Sequence, residues 1–364
     1  MRRLRWFLAF AIIVLGISSC GKKEKNVITK DSIIETSTPS PTVVPTLEPT
    51  PTKTEDPHTG EVKSKLTGLY VKEEIGRKRP FAIMFNNIKL ASPQSGTSEA
   101  DILYEAIVEG GITRLMGIFE QAKSDRIGSI RSARHYFVSI ADEYDAIFVH
   151  FGQTKYATAK ISELAVNNLS GLSGIGTTVF YRDNSINAPH NAFTSLKGLL
   201  KGTNVLGYNT KYEDDYEGHF KFYNDDTELK SSIEVNKLTL NFSTYTSPYF
   251  TYDKKNRCYL RYQFGVPHVD ANTNKQLRFK NILVQFVKEW NIDKNGYQTM
   301  DIENSSGKGY YITNGNAIEI TWKKNEATKK MRYYNEDGTE LKINPGKTYI
   351  AIFPNDRTSG VTFD

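Results

Sequence analysis

Between Asn86 and Asn191 the chain carries its densest set of side chains capable of chemistry: Glu105, Glu109, Arg114, Arg131, Arg134, His150, Arg182, Asp183, His190 and Asn191. Arg131-Ser132-Ala133-Arg134 places two guanidinium groups three residues apart at an expected helix start, where side chains converge and free backbone amides favour an anion. With Arg114, Arg182 and Asn191 they form the expected binding set for a phosphate or carboxylate, because a guanidinium presents a planar fork of donors. The same forks suit the alternative, in which Arg131 and Arg134 bridge Glu105, Glu109 or Asp183 inside the fold, and spacing leaves both readings open. Glu105, Glu109, Asp183, His150 and His190 are the candidate catalytic acids and bases. That role requires a carboxylate and an imidazole to meet in one cleft, whereas each histidine alone also suits an ordinary hydrogen-bonded structural place.

Other chemistries lack their patterns. There is no His-Glu-x-x-His, no closely spaced cysteine pair and no calcium loop, and Asp214-Asp215 and Asp225-Asp226 read as solvated acidic pairs, so neither a metal nor a cofactor is expected. Gly346-Lys347-Thr348 lacks the upstream glycine of a phosphate loop and precedes a strand, and Ser195 has no nucleophile elbow around it. Cys258 sits in an apparent strand and reads as a small buried residue. A formal charge of +6, weak and interspersed, gives no nucleic-acid footprint. Twenty-one tyrosines and 19 phenylalanines among 364 residues exclude a wholly disordered chain.

These candidates need elements to position them. Arg79 to Phe85 is an apolar run long enough for a buried strand, and Ser92-Pro93-Gln94-Ser95-Gly96 has strong turn chemistry. Asp101 to Glu109 is ambiguous between a helix and the first arm of a hairpin that turns at Gly110-Gly111 into Thr113 to Phe119; the hairpin is preferred. Either choice puts Glu105 and Glu109 on one face, and the hairpin adds Arg114 to it. Helices are expected over 132–142, 154–166 and from about Asn191 to Leu200, with a strand over 146–151. Strands alternating with helices predict a layered α/β region over 76–207. From about 220 to 364, short strands rich in Tyr, Phe, Ile and Val predict an adjoining, mainly antiparallel β region.

The chain begins with Arg2, Arg3 and Arg5, continues with an apolar run from Trp6 to Ile17, and reaches Ile17-Ser18-Ser19-Cys20. This is the pattern of a secretory leader over 1–19 with a lipobox, and it makes Cys20 the expected lipidated N-terminus. Residues 20–65 follow as an expected disordered stalk, rich in threonine and proline. The expected location is the cell membrane, held by lipid and facing the extracellular side.

The ordered motifs Arg79-Pro80-Phe81-Ala82-Ile83-Met84-Phe85-Asn86-Asn87, Pro93-Gln94-Ser95-Gly96, Val108-Glu109-Gly110-Gly111-Ile112-Thr113-Arg114, Ile127 to Arg134, Tyr181-Arg182-Asp183 and Ala188-Pro189-His190-Asn191 resemble the YerB-like lipoprotein family of Gram-positive bacteria. The resemblance extends over nearly everything after the stalk, including Asn344-Pro345-Gly346-Lys347-Thr348. It implies two adjoining domains of unknown function in an α/β layered fold, and it carries over no catalytic residues. Two positions depart from the family pattern, His135 before Tyr136-Phe137 and Phe151 after His150. The expected role is binding of an anionic wall polymer, a phosphorylated sugar or an envelope protein. A wall-polymer hydrolase or transferase and a purely scaffolding surface protein are the alternatives.

Overall fold

Phe81–Asn86, Ile102–Ile107 and Thr113–Phe119 are buried along their whole lengths, as expected of apolar strands covered on both faces. They belong to one eleven-stranded mixed sheet. At its centre Thr348–Pro354 runs parallel to Ile102–Ile107 on one side and to Asn281–Val287 on the other. Outward from Ile102–Ile107 come Thr113–Phe119, Phe81–Asn86, Ile147–His150 and Asn168–Ser170. Outward from Asn281–Val287 come Ser306–Thr313 and Asn316–Asn325, the latter pairing with both Ile233–Glu234 and Lys330–Tyr334. This computed structural model describes residues 57–364 apart from residue 326; the leader, Cys20 and the stalk up to residue 56 lie outside the described residues.

Each face of the sheet carries its own core. On one face, Tyr136, Phe137 and Ile140 of the helix His135–Glu143 pack over Met84, Tyr104, Ala106 and Met116. On the other, Leu103, Ile107 and Leu115 meet a second, antiparallel sheet that includes Lys237–Leu240, Tyr249–Asp253 and Cys258–Gln263, while Leu199 of the helix Leu196–Val205 covers the end near Leu169. The layered α/β expectation and the β-rich second region are both present. Strands from the two regions share the large sheet, so its centre closes only when the chain's last long strand arrives.

The preferred hairpin forms, and its turn uses Gly110 and Gly111 at φ of 71° and 73°, a left-handed conformation suited to glycine. Its register corrects the expected grouping of side chains. Glu105 lies opposite Leu115 and Arg114 opposite Ala106, so Glu105 and Arg114 point to opposite faces. Glu109 lies beyond the strand in the turn Glu109–Gly111, where strand alternation no longer applies.

The helix expected over 132–142 starts instead at His135, leaving Arg131 and Arg134 in an extended segment. The Ala133 amide donates to the Gly152 carbonyl at 2.9 Å, and Phe151 N–H to the Arg131 carbonyl at 3.1 Å, so backbone groups that would have opened a helix serve a neighbouring loop. The helix expected from Asn191 begins at Leu196, with Ser195 Oγ accepting from Gly198 N–H at 3.1 Å. Ala192–Thr194 before it is a strand, paired with Ile127–Gly128 and Phe180–Arg182.

Candidate functional site

Three arginines gather where the ends of strands meet the segment before the first long helix. Arg114 is the second residue of Thr113–Phe119, lies opposite Asn86 in the sheet register, and donates from Nη1 to the Ser132 carbonyl at 2.5 Å. Arg134 grips Glu109 with two parallel bonds, Nε to Oε1 at 2.6 Å and Nη2 to Oε2. Arg131 donates from Nη1 to the Pro189 carbonyl at 3.2 Å, while its Nε is buried without a hydrogen-bond partner. Their placement is fixed by the backbone, because Arg131 N–H donates to the Met84 carbonyl and Asn86 N–H to the Ser129 carbonyl, both at 3.0 Å.

Burial, with the nearby cations of Arg134 and Arg131, pushes the Arg114 guanidinium down to about 9, although Glu109 pulls the other way. It remains charged at neutral pH. For Glu109 the largest influence, burial, favours the neutral acid, but the hydrogen bonds and charge of Arg134 outweigh it and hold the carboxyl below its usual range. Glu109 is thus bonded by Arg134 and lies in the field of Arg114, while Arg131 feels the Arg134 charge with no carboxylate of its own, and the cluster keeps a surplus of positive charge.

The flanking loop completes the site's rim. The Asn86 amide donates to His190 Nδ1 at 2.8 Å, which leaves the imidazole proton on Nε2, and burial followed by the Arg131 charge lowers the His190 pKa. Arg182 donates to Asn191 Oδ1 at 2.7 Å and stacks 4.7 Å from the centre of the Phe151 ring. Asp183 takes no part in that cluster. It pairs with Arg126 at 2.8 Å and accepts from Ser185 N–H at 2.9 Å.

Two candidates are sealed in the interior. His150 is fully buried between the Gly152 carbonyl at 2.9 Å and Asn168 Oδ1 at 3.2 Å, and burial lowers its pKa. Glu105 is also fully buried, accepting from Arg261 Nη2 at 2.6 Å, Thr113 Oγ1 at 2.6 Å, Tyr349 OH at 2.7 Å and Asn87 Nδ2 at 3.0 Å. A carboxylate so surrounded is the anion of an internal ion pair instead of a solvent-facing acid or base. Among the described residues, no candidate imidazole hydrogen-bonds a candidate carboxylate, and no group of three His, Cys, Asp or Glu is placed to hold a metal ion.

Sequence reading missed Asn86, Gln94, Arg261 and His268, which join the ion pair to the rim. Arg261 Nη1 donates to His268 Nδ1, His268 Nε2 to Gln94 Oε1 at 2.6 Å, and Gln94 Nε2 to the Asn86 carbonyl at 2.7 Å. Gln94 had a signal, since it stands in a turn-rich loop beside Asn86-Asn87. Arg261 had none, because a cation in an alternating strand ordinarily faces water.

The fold and this site define a layered α/β protein whose polar strand ends carry a surplus of arginine. The chain belongs to the DUF3048 family, residues 66–209 matching "Protein of unknown function (DUF3048) N-terminal domain" and residues 238–350 the corresponding C-terminal domain. It is 35% identical over 299 residues to "Putative lipoprotein YerB" of Bacillus subtilis (strain 168), spanning 81% of this chain and 87% of that protein. It is also similar to the crystal structure of YerB protein from Bacillus subtilis, with a TM-score of 0.74 and 32% identity, covering 83% of this chain and 99% of the other. Among the described residues, no helix is long and apolar enough to cross a membrane.

Proposed function

We propose that the protein is a lipid-anchored surface lipoprotein that binds an anionic envelope component, either a wall polymer or a wall-assembly partner, through Arg114, Arg131, Arg134 and Arg182 with Asn191. One observation carries the binding reading: in a cluster of three guanidinium groups whose carboxylate, Glu109, is taken by Arg134, Arg131 keeps a buried Nε with no acceptor. An arriving anion supplies that acceptor and relieves the repulsion among the three cations. Arg134 is the scaffold member, held by Glu109, while Arg131 and the more exposed Arg182 are the contacting members. The sequence Ile17-Ser18-Ser19-Cys20 supports the anchor, as does the printed name of the Bacillus subtilis relative. A lipid on Cys20 and a stalk behind it place the folded unit outside the membrane, within reach of the wall.

The test is a binding survey of the purified protein against wall polymers and phosphorylated sugars, repeated with Arg131→Gln and Arg182→Gln. Loss of about tenfold in affinity on replacing Arg131 is expected, the magnitude of a hydrogen bond to a charged group. Affinity unchanged in both variants removes these residues from the account.

A further inference from the structure

A cavity of about 600 Å³ lies well away from the arginine cluster, and none of Arg114, Arg131, Arg134 or Arg182 lines it. One wall is the short turn Thr97–Glu99 with Ala100; the opposite wall is Cys258 with Arg278–Phe279. Its size suits a small organic molecule. Five cations line it, Arg257, Lys275, Arg278, Lys280 and Lys347, against the single carboxylate of Asp226. That carboxylate is already engaged, by Lys280 at 2.7 Å and by Arg257 at 2.7 Å, and Arg257 takes Glu228 as well at 2.6 Å. Lys275 and Arg278 form no ion pair among the described residues, and Lys347 Nζ donates to the Ser98 carbonyl from the inner wall.

Two further features point to a ligand with more than charge. Thr97 is only 2% exposed, lines the cavity, and its hydroxyl has no hydrogen-bond partner. A buried hydroxyl left unpaired costs free energy, and an arriving polar group would satisfy it. Ala100, Leu277, Phe279 and Pro345 contribute an apolar surface beside the cations.

We infer that this cavity is a second binding site, for an organic phosphate ester whose dianionic phosphate is held by Lys275, Arg278 and Lys347, with its carbon-bearing body against Phe279 and its neighbours and a polar group on the Thr97 hydroxyl. A dianion answers two unpaired cations and a third at the inner wall better than a single carboxylate does. The site is built from the Thr97 turn of the first region and the Arg278 strand of the second, so it exists only in the assembled fold. It does not depend on the arginine cluster, and its failure would leave that reading untouched.

Cys258, 7% exposed in the cavity wall and the only cysteine among the described residues, is a reporter. The experiment titrates the full chain with N-acetylglucosamine 1-phosphate, with inorganic phosphate and N-acetylglucosamine as separate arms, and follows both heat of binding and the rate of Cys258 alkylation. The expected result is binding of the ester at least about tenfold tighter than either fragment, with slowed alkylation. Lys275→Ala/Arg278→Gln, at exposed positions, should weaken it by a further factor of about ten or more while leaving the thermal midpoint unchanged. Thr97→Val should weaken it several-fold without loss of stability. The inference is overturned if the ester does not bind, if inorganic phosphate binds as tightly as the ester, or if affinity is the same in the Lys275/Arg278 variant.

Discussion

Arg131 and Arg134 look interchangeable in the sequence and differ in the structure. Arg134 is spent on Glu109, so Arg134→Ala leaves a partly buried carboxylate unpaired and is expected to destabilise the fold by about 1–2 kcal/mol, measured by urea unfolding. Arg131→Gln should change stability by no more than about 0.5 kcal/mol. His219 offers a different test, since it is buried, stacked on Tyr144 at 4.4 Å, and has no hydrogen-bond partner at either ring nitrogen, the nearest carboxylate, Glu143 at 3.6 Å from Nδ1, being already paired with Lys324. Burial, then the charges of Arg332, Lys324 and Lys330, hold its pKa well below 6.5. Below pH 6.5 the unfolded chain therefore binds a proton that the folded chain refuses, and stability is lost as pH falls. Relative to His219→Phe, the native protein should lose on the order of 1 kcal/mol between pH 8 and pH 5.5. A pH-independent difference between the two would contradict this account of His219.

At the scale of elements, the ion pair between Glu105 and Arg261 joins the central sheet to the antiparallel sheet packed on it. Both side chains are fully buried, and Arg261 Nε and Gln263 Nε2 find no partner there. Glu105→Ala should cost about 3–5 kcal/mol because it strands the Arg261 charge, whereas Glu105→Leu with Arg261→Met should recover most of that loss. Denaturant unfolding of the two variants checks both. The strands and helices around the site were largely legible, because apolar runs such as Phe81 to Phe85 and turn signals such as Gly110-Gly111 act locally. The facing of Glu105 was not. It depends on a register in which Ala106, and not Glu105, meets Arg114, and one residue of slip reverses every side chain. The start of the first long helix was misplaced for a related reason, since the backbone of residues 131–133 is claimed by a loop some twenty residues further on. Periodicity in a single segment carries no information about such a competitor.

At the scale of the molecule, the family's two domains meet within one sheet. Thr348–Pro354 lies between Ile102–Ile107 and Asn281–Val287, so a fragment ending near residue 209 exposes the open edge of Ile102–Ile107. A 57–209 fragment should show no cooperative unfolding transition and should aggregate, whereas 57–364 should unfold in one transition. A folded, monomeric 57–209 fragment would refute the idea that the sheet is completed only by the last strand. The two candidate sites sit differently in this architecture. The arginine cluster is built within the first region, at strand ends that sequence order brings close together, and its residues were readable as candidates. The cavity at Thr97 and Arg278 requires both regions, and nothing along the chain marks Lys275 or Arg278 as more than surface charge.

The proposed binding of an envelope anion by Arg131 and its neighbours rests on their uncompensated positive charge. It is tested most directly by titrating the protein and its Arg131→Gln variant with a glycerol-phosphate oligomer at two salt concentrations. Affinity should fall about tenfold in the variant and fall with added salt in both proteins. Equal affinity for the two proteins, or binding that ignores salt, would contradict the account.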